Sequence, residues 1–301
     1  MKTGFIAIIG RPNVGKSTLL NSILGEKIAI TTDKPQTTRN TIRGIYTHYA
    51  DESFDEDMQL VFIDTPGIHR PRTKLGEFMT ESALGTFNEV DAIIFIVDDK
   101  LSAGPGDKYI TDLLDNVTTP KILVINKIDK LEPEEFAEIY KEYDELGIFE
   151  DIIGTSAMEG KNVDHVIKTV SEFMEEGPMF FPDDMITEHP ERFIVSEIIR
   201  EKVLMYLQDE VPHGVAIEIE RYKEERDITR INAVIYCERK SHKGMIIGKG
   251  GRKLKGIGKS AREEIEALLG TKVYLELWVK VKENWRDSDI ALSNFGYKEQ
   301  M

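Results

Sequence analysis

Gly10-Arg-Pro-Asn-Val-Gly-Lys-Ser17, GRPNVGKS, follows the apolar run FIAII and leads straight into STLLNSIL. It fits the pattern GxxxxGK[ST] between a strand and a helix, the context in which that pattern cradles phosphate. Gly10 and Gly15 let backbone N–H groups close around the anion, beside the positive end of the helix dipole. Lys16 can reach the β and γ oxygens, and the Ser17 hydroxyl suits Mg²⁺. Gly10, Asn13, Val14, Gly15, Lys16, Ser17 and Thr18 are therefore candidate nucleotide ligands. The plain alternative is a tight strand-to-helix turn with no ligand.

Outward from this loop, IRGIYTHY, MQLVFID, DAIIFIVD, KILVIN and DIIGTS read as further strands, alternating with helical patterns such as KLGEFMTESALGTF and EEFAEIYKEY. That alternation predicts an α/β fold with a mostly parallel sheet, whose ligands lie at the carboxyl ends of strands. Three more motifs stand at such ends. Asp64-Thr-Pro-Gly67 offers a carboxylate to the Mg²⁺ shell and the Gly67 N–H to a γ-phosphate. Asn126-Lys127-Ile-Asp129 offers a carboxylate that can accept from N1–H and the 2-amino group of guanine, a donor pair that adenine lacks. Thr155-Ser156-Ala157 supports the base from the other side.

These motifs, in this order, resemble the GTPase family of P-loop proteins. The resemblance implies that the polar loop KPQTTRNT, before Asp64, carries a Thr that closes over Mg²⁺ and the γ-phosphate in the GTP state. Thr38 is the choice and Thr37 the alternative. Related Ras-like enzymes place a water-orienting Gln directly after DxxG, whereas this chain has Ile68. Hydrolysis must draw on another group, on backbone and a cation, or on a partner, and Asn13 matches the position that helps hold K⁺ in similar GTPases lacking that Gln. The catalytic set expected is Lys16, Asn13, Thr38 and Gly67, with Ser17, Thr38 and Asp64 around Mg²⁺ and Asn13 at K⁺.

The second half reads differently. GPMFFPDDMITEHPER, residues 177–192, has three Pro and no period, and predicts a linker between a first domain at 1–176 and a second at 193–301. In the second, FIVSEIIREKVLMYLQ predicts a helix, VAIEIERY and ITRINAVIYCE two strands, and KVYLELWVKVK a last strand around a helical basic stretch. The order α-β-β-α-α-β is α+β in class.

Charge separates the halves as well. The chain of 301 residues has net charge −15, of which residues 1–180, with 18 basic and 32 acidic side chains, hold −14. Residues 181–301, with 21 and 22, hold −1. Within them SHKGMIIGKGGRKLKGIGKSAR, Ser241 to Arg262, has seven Lys or Arg, six Gly and no acid. Its GKS at Gly258–Ser260 is not a second phosphate loop, because position 253 is Lys where the pattern needs Gly. Its centre, IIGKGG, is a GxxG loop between helical segments. That resembles the type II KH fold, whose loop clamps about four single-stranded nucleotides. Lys243, Gly248, Lys249, Gly250, Gly251, Arg252, Lys253 and Lys255 are the candidate RNA contacts.

The signatures GRPNVGKSTLLN, KPQTTR, DTPGIH, NKID, SEIIREK and LELWVKVK run through the whole chain and resemble the Era-type P-loop GTPases with a C-terminal KH domain. The resemblance implies a GTP-hydrolysing switch that binds the 3′ end of small-subunit (16S) ribosomal RNA and assists small-subunit maturation. It also implies a monomer with peripheral contact at the inner membrane. Two other readings are a small-molecule kinase, disfavoured by NKID, and a constitutive RNA-binding adaptor. No apolar run reaches the roughly 18 residues of a membrane span, and FIAII is too short for a signal peptide, so a cytoplasmic location is expected. Cys237, in the apolar run INAVIYCE, is expected to be a buried structural thiol.

Overall fold

The computed structural model describes residues 1–34, 36–87, 89–207 and 214–297. Pro35 of KPQTTRNT, Gln208 of the FIVSEIIREKVLMYLQ helix and the tail 298–301 lie outside the described residues. The chain forms two compact units. The first comprises Met1–Ala29, Thr38–Pro71 and Met79–Glu188; the second comprises Ile30–Thr37, Arg72–Phe78 and His189–Met301.

The chain opens β1 (Lys2–Ile9), α1 (Lys16–Leu24), β2 (Ile42–His48), β3 (Met58–Asp64), α2 (Lys74–Gly85), β4 (Ala92–Val97) and α3 (Pro105–Leu114). It continues β5 (Lys121–Asn126), α4 (Pro133–Asp144), β6 (Asp151–Thr155), α5 (Val163–Ser171) and β7 (Glu175–Glu176). Strand order is β2-β3-β1-β4-β5-β6, with β7 paired to β1. β2 runs antiparallel to β3, and β3, β1, β4, β5 and β6 are mutually parallel. Every residue of β3, β4 and β5 is buried. A strand covered on both faces needs a continuous apolar run rather than alternation, and FIAII, MQLVFID, AIIFIV and KILVIN are such runs. Parallel strands bring the carboxyl ends of β1, β3, β5 and β6 to one edge of the sheet.

The stretch read as a linker has no regular element up to Glu191, and residues 177–188 belong to the first unit. Gln59 holds it: its Oε1 accepts the N–H groups of Phe180 (2.7 Å) and Phe181 (3.0 Å), and its Nε2 donates to the Phe181 carbonyl at 2.9 Å. Ile45 of β2 donates its N–H to the Ile186 carbonyl at 2.7 Å, and Thr187 donates to the Arg43 carbonyl at 2.7 Å. β2 is the last strand of its sheet, and this strap satisfies backbone groups that an open edge would expose.

The second unit follows the order α6 (Glu191–Tyr206), β8 (Ala216–Glu225), β9 (Ile228–Cys237), α7 (Lys240–Ile247), α8 (Arg252–Leu269), β10 (Lys272–Val281), and adds α9 (Asp289–Asn294). β10 pairs parallel with β9 and β9 antiparallel with β8, so β10 is an edge strand. Ile194, Val195, Ile198 and Ile199 of α6, with Ala261 and Ile265 of α8, pack on Ile219, Ile231, Ala233 and Val273 of the sheet. The alternate residues of the strands face away from those helices. Phe295 lies against Tyr236 there, with ring centroids 4.9 Å apart. Cys237 is free and fully buried, and burial pushes its thiol up.

Within this unit Arg200 of α6 is almost fully buried. Its guanidinium donates to Glu197 Oε1 at 2.8 Å and also to the carbonyl of Thr37. Nearby, Thr31 N–H donates to Glu201 Oε1 at 2.9 Å.

Candidate nucleotide and nucleic-acid sites

In the first unit, Lys16 is buried at the start of α1, and its ammonium donates to the carbonyls of Gly10 (3.2 Å) and Arg11 (2.9 Å). Burial pulls its pKa down to about 8, which Asp64 opposes. An ammonium folded onto its own loop in a dry site is a charge waiting for an anion, and phosphate oxygens supply one at short range. The turn is fixed by Gly15 at φ 109°, where a Cβ would lie 2.1 Å from Asn126 Nδ2. Only glycine leaves room for the amide that joins this loop to β5.

Ser17 donates to Asp64 Oδ2 at 2.6 Å and lies 2.8 Å from the Thr38 hydroxyl, which is itself 3.4 Å from Asp64 Oδ2. Thr37 turns the other way: its hydroxyl donates to the Lys34 carbonyl at 2.6 Å. Of the two threonines the sequence left open, the fold brings Thr38 to the cluster. Asp64 is fully buried, its Oδ1 has no hydrogen-bond partner, and burial pushes its pKa up to about 6. A buried carboxylate with one idle oxygen, flanked by two hydroxyls, is a hard-oxygen set that fits Mg²⁺, which takes few protein ligands and keeps water or phosphate for the rest.

Gly67 packs so closely on Pro12 that a Cβ would sit 2.7 Å from its nitrogen, and Ile68 N–H donates to the Gly10 carbonyl at 3.1 Å. The DxxG segment is thus docked on the phosphate loop. The Ile68 side chain is buried in the apolar core, turned from the site where a glutamine would hold water.

Asn126 ties the base-reading loop to the cradle. Its Nδ2 donates to the Val14 carbonyl at 2.9 Å, and its Oδ1 accepts from Ala157 N–H at 3.0 Å and Thr155 Oγ1 at 3.3 Å. Lys127 donates to the Asn13 carbonyl at 3.0 Å. Asp129, in the short turn Ile128–Lys130, stays exposed, while Ser156 and Ala157 are buried. Asn13 is exposed, with φ 68°, and Thr18 follows Ser17 in α1. Sequence reasoning passed over Arg11, Asp98 and Asp107. Arg11 donates to Asp107 Oδ1 at 2.6 Å and to Asp98 Oδ1 at 2.8 Å, and Lys127 lies 3.6 Å from Asp98. The available signal was an acid directly after the apolar run of β4, at the same sheet edge as the other motifs.

In the second unit, Gly248 ends α7 at φ 71°, and a Cβ there would lie 2.7 Å from Lys253 Cβ. Lys249–Gly251 make a single tight turn into α8. A cleft of about 810 Å³ follows, walled by Gly251, Arg252, Leu254, Lys255, Gly256, Gly258, Lys259 and Arg262 on one side and by Leu275, Glu276 and Leu277 of β10 on the other. Of the expected contacts, Gly251, Arg252 and Lys255 line it. Gly248, Lys249 and Gly250 lie in the turn just before Gly251 and are not among the lining residues, while Lys253 packs against Gly248 and Lys243 lies on α7. Lys259 and Arg262 belong to the wall and were not singled out; their signal was helical spacing from Arg252 and Lys255. Gly258–Ser260 lies inside α8, with no strand before it, so GKS here is one turn of a helix wall.

A cradle at the end of the first strand, locked by an asparagine to an NKxD loop, defines a P-loop GTPase, and the αββααβ unit with its glycine loop defines a KH domain. Residues 5–127 match the family described as 50S ribosome-binding GTPase, and residues 210–286 the KH domain. The chain is 58% identical to GTPase Era of Clostridioides difficile, over 99% of both chains, and 59% identical to GTPase Era of Alkaliphilus oremlandii, over 98% and 99%. It superposes with TM-score 0.93, at 40% identity over 99% of both chains, on Era in complex with MgGDPNP and nucleotides 1506–1542 of 16S ribosomal RNA. An Aquifex aeolicus Era variant bound to GDP and tetrafluoroaluminate matches with TM-score 0.92, at 40% identity over 99% of both chains. The chain belongs to the Era family of GTPases.

Proposed function

We propose that this GTPase is a switch whose second unit binds the 3′ end of 16S ribosomal RNA, with the nucleotide state setting that affinity, and that it assists maturation of the small ribosomal subunit. One observation carries the switch. Thr38 bonds to Ser17 beside Asp64, and the residue before it, Thr37, has its carbonyl bonded to Arg200 of the helix that underlies the KH sheet. Adjacent residues of one loop thus answer to the nucleotide and to the RNA-binding unit. A loop ordered by γ-phosphate and released on hydrolysis is a general switching device.

Lys16 binds the phosphates, Asp129 reads guanine, and Ser17, Thr38 and Asp64 would hold Mg²⁺, which would supply positive charge to the phosphate oxygens. Gly67 N–H senses the γ-phosphate. Ile68 cannot orient water, and Asn13 would hold a K⁺ ion, which would supply positive charge toward the phosphates. Equal rates in Na⁺ and K⁺ at matched ionic strength contradict this last role. The reading takes in a cytoplasmic monomer with peripheral contact at the inner membrane. Among the described residues no helix is long and apolar enough to cross a membrane.

The test is GTP hydrolysis with and without the 16S 3′ strand. Acceleration by the strand supports a switch; hydrolysis indifferent to it leaves an RNA-binding adaptor.

A further inference from the structure

The face of the KH sheet turned away from α6 and α8 carries two exposed aromatic rings, and neither serves the cleft. Tyr274 is 50% exposed and Trp278 57%, both on β10. They are four residues apart on a strand, so they share a face about 13 Å apart. Between them Glu276 accepts a hydrogen bond from Asn232 at 2.5 Å, and the Arg230 guanidinium sits 5.4 Å from the centre of the Tyr274 ring. The face is close to neutral: Arg230 pairs with Glu225 at 3.1 Å and Lys280 with Glu220 at 2.8 Å.

Two flat rings separated by a polar pair are not the contiguous apolar patch that a protein partner or a second copy of the chain would bury. They are separate platforms, each the size of one base. Base–aromatic stacking needs a π face rather than net charge, and it tolerates any sequence. The same strand already forms a wall of the cleft through Leu275 and Leu277. Because β10 is an edge strand, a polynucleotide leaving the cleft over that edge meets the aromatic face next.

We propose that Trp278 and Tyr274 extend the RNA site, stacking bases of the nucleotides that run beyond the cleft across the edge of β10. This rests on the KH cleft being the primary RNA site. The outer face lengthens the footprint past the roughly four nucleotides a KH cleft clamps.

The chain offers its own reporter, since of its two tryptophans Trp285 is fully buried with its N–H bonded to the Gly214 carbonyl at 2.9 Å, while Trp278 is exposed. The full-length protein is titrated with a five-nucleotide strand from the 16S 3′ end, and with the same strand lengthened by four nucleotides at one end or the other. One longer strand should quench tryptophan fluorescence and bind about ten-fold tighter than the short one. Trp278→Ala should remove that gain and the quenching while leaving short-strand affinity within about two-fold, and Trp278→Phe should keep most of the gain. Equal affinity of short and long strands for the unmodified protein overturns the proposal, as does loss of both strands alike in Trp278→Ala. A change of sedimentation in Trp278→Ala with no effect on RNA would show the face to be a contact between copies. If the short strand itself fails to bind, the cleft reading fails, and the extension with it.

Discussion

Ser17 Oγ stands 2.6 Å from Asp64 Oδ2, joining the end of the phosphate cradle to the end of β3 across 47 positions of sequence. The bond leaves Asp64 Oδ1 buried and idle. Thr38 completes the cluster and Thr37 does not. Thr38→Ala should therefore weaken the Mg²⁺-dependent part of GTP-analogue binding by about ten-fold or more, the scale of a lost charge-assisted hydrogen bond. Thr37→Ala should leave that binding within about two-fold and cost only about 1–2 kcal/mol of stability through its lost bonds to the Lys34 carbonyl and the Thr32 hydroxyl. Calorimetric titration with and without Mg²⁺ checks both, and equal effects of the two substitutions contradict the assignment.

Asp64 also predicts a pH dependence. Its folded-state pKa, pushed up to about 6 by burial, lies above that of an unfolded aspartate. The folded state then holds a proton that the unfolded chain releases, so the contribution is full below about pH 4 and is lost as pH rises through about 6. Between those values the stability of the nucleotide-free protein should fall relative to Asp64→Asn. Saturating Mg²⁺ and GDP should flatten the difference, because the ionised carboxylate gains a cation. Urea denaturation at a series of pH values measures it, and a difference that is flat without nucleotide contradicts the buried, idle carboxylate.

Asp129 is exposed at the end of a turn that Lys127 and Asn126 tie to the cradle. Asp129→Asn should lower GTP affinity by at least about 100-fold and admit xanthine nucleotides, because an amide N–H can donate to the 2-oxo group that replaces the 2-amino group. Unchanged preference for GTP in competition binding would contradict the base-reading role.

Gly248 is fixed by its φ of 71° and by Lys253 Cβ, 2.7 Å from where its own Cβ would be. Gly248→Ala should cost about 1–3 kcal/mol in the second unit. Gly248→Asp with Gly251→Asp should also cut RNA affinity by at least about ten-fold, by placing negative charge in the glycine loop where a polyanion would approach. GTP affinity should stay the same in both. Equal loss of GTP and RNA binding would mean that the substitutions unfold the protein instead.

How much of this was legible follows from where the information lies. Runs such as KILVIN announce strands buried on both faces, and each nucleotide motif sits at the end of such a run, so the sheet edge and its chemistry could be read directly. The glycine loop and the basic helix were legible for the same local reason. What sequence left open depends on partners distant in the chain. Thr38 and Thr37 are chemically alike, and only Asp64 and Ser17 separate them. Residues 177–188 have a linker's composition, yet Gln59 and Ile45 bind them along the open edge of β2. The far wall of the cleft, Leu275 and Leu277, reads as ordinary strand until the fold sets it opposite Lys259 and Arg262. Arg11 varies freely within the phosphate-loop pattern, so its bonds to Asp98 and Asp107 had no signature in the motif.

Arg200 and Glu197 form a buried charge pair whose spare hydrogen bond goes to Thr37. Arg200→Ala leaves Glu197 buried without its cation and should destabilise the second unit by about 3–5 kcal/mol, whereas Arg200→Met with Glu197→Leu should recover most of that. In the double variant RNA should still bind, but with the same affinity in both nucleotide states. Denaturant midpoints and RNA titrations check the two parts, and a double variant that still responds to nucleotide contradicts the role given to Thr37.

The central claim is that the GTP site and the RNA site are coupled. The most direct measurement is the affinity of the full-length protein for a single strand matching the 16S 3′ end, at fixed salt, first with MgGDP and then with Mg²⁺ and a non-hydrolysable GTP analogue. Coupling requires tighter binding with the analogue, by the same factor by which the strand tightens the analogue over GDP. Equal affinity in the two states would contradict the switch and leave a GTPase and an RNA-binding unit acting independently on one chain.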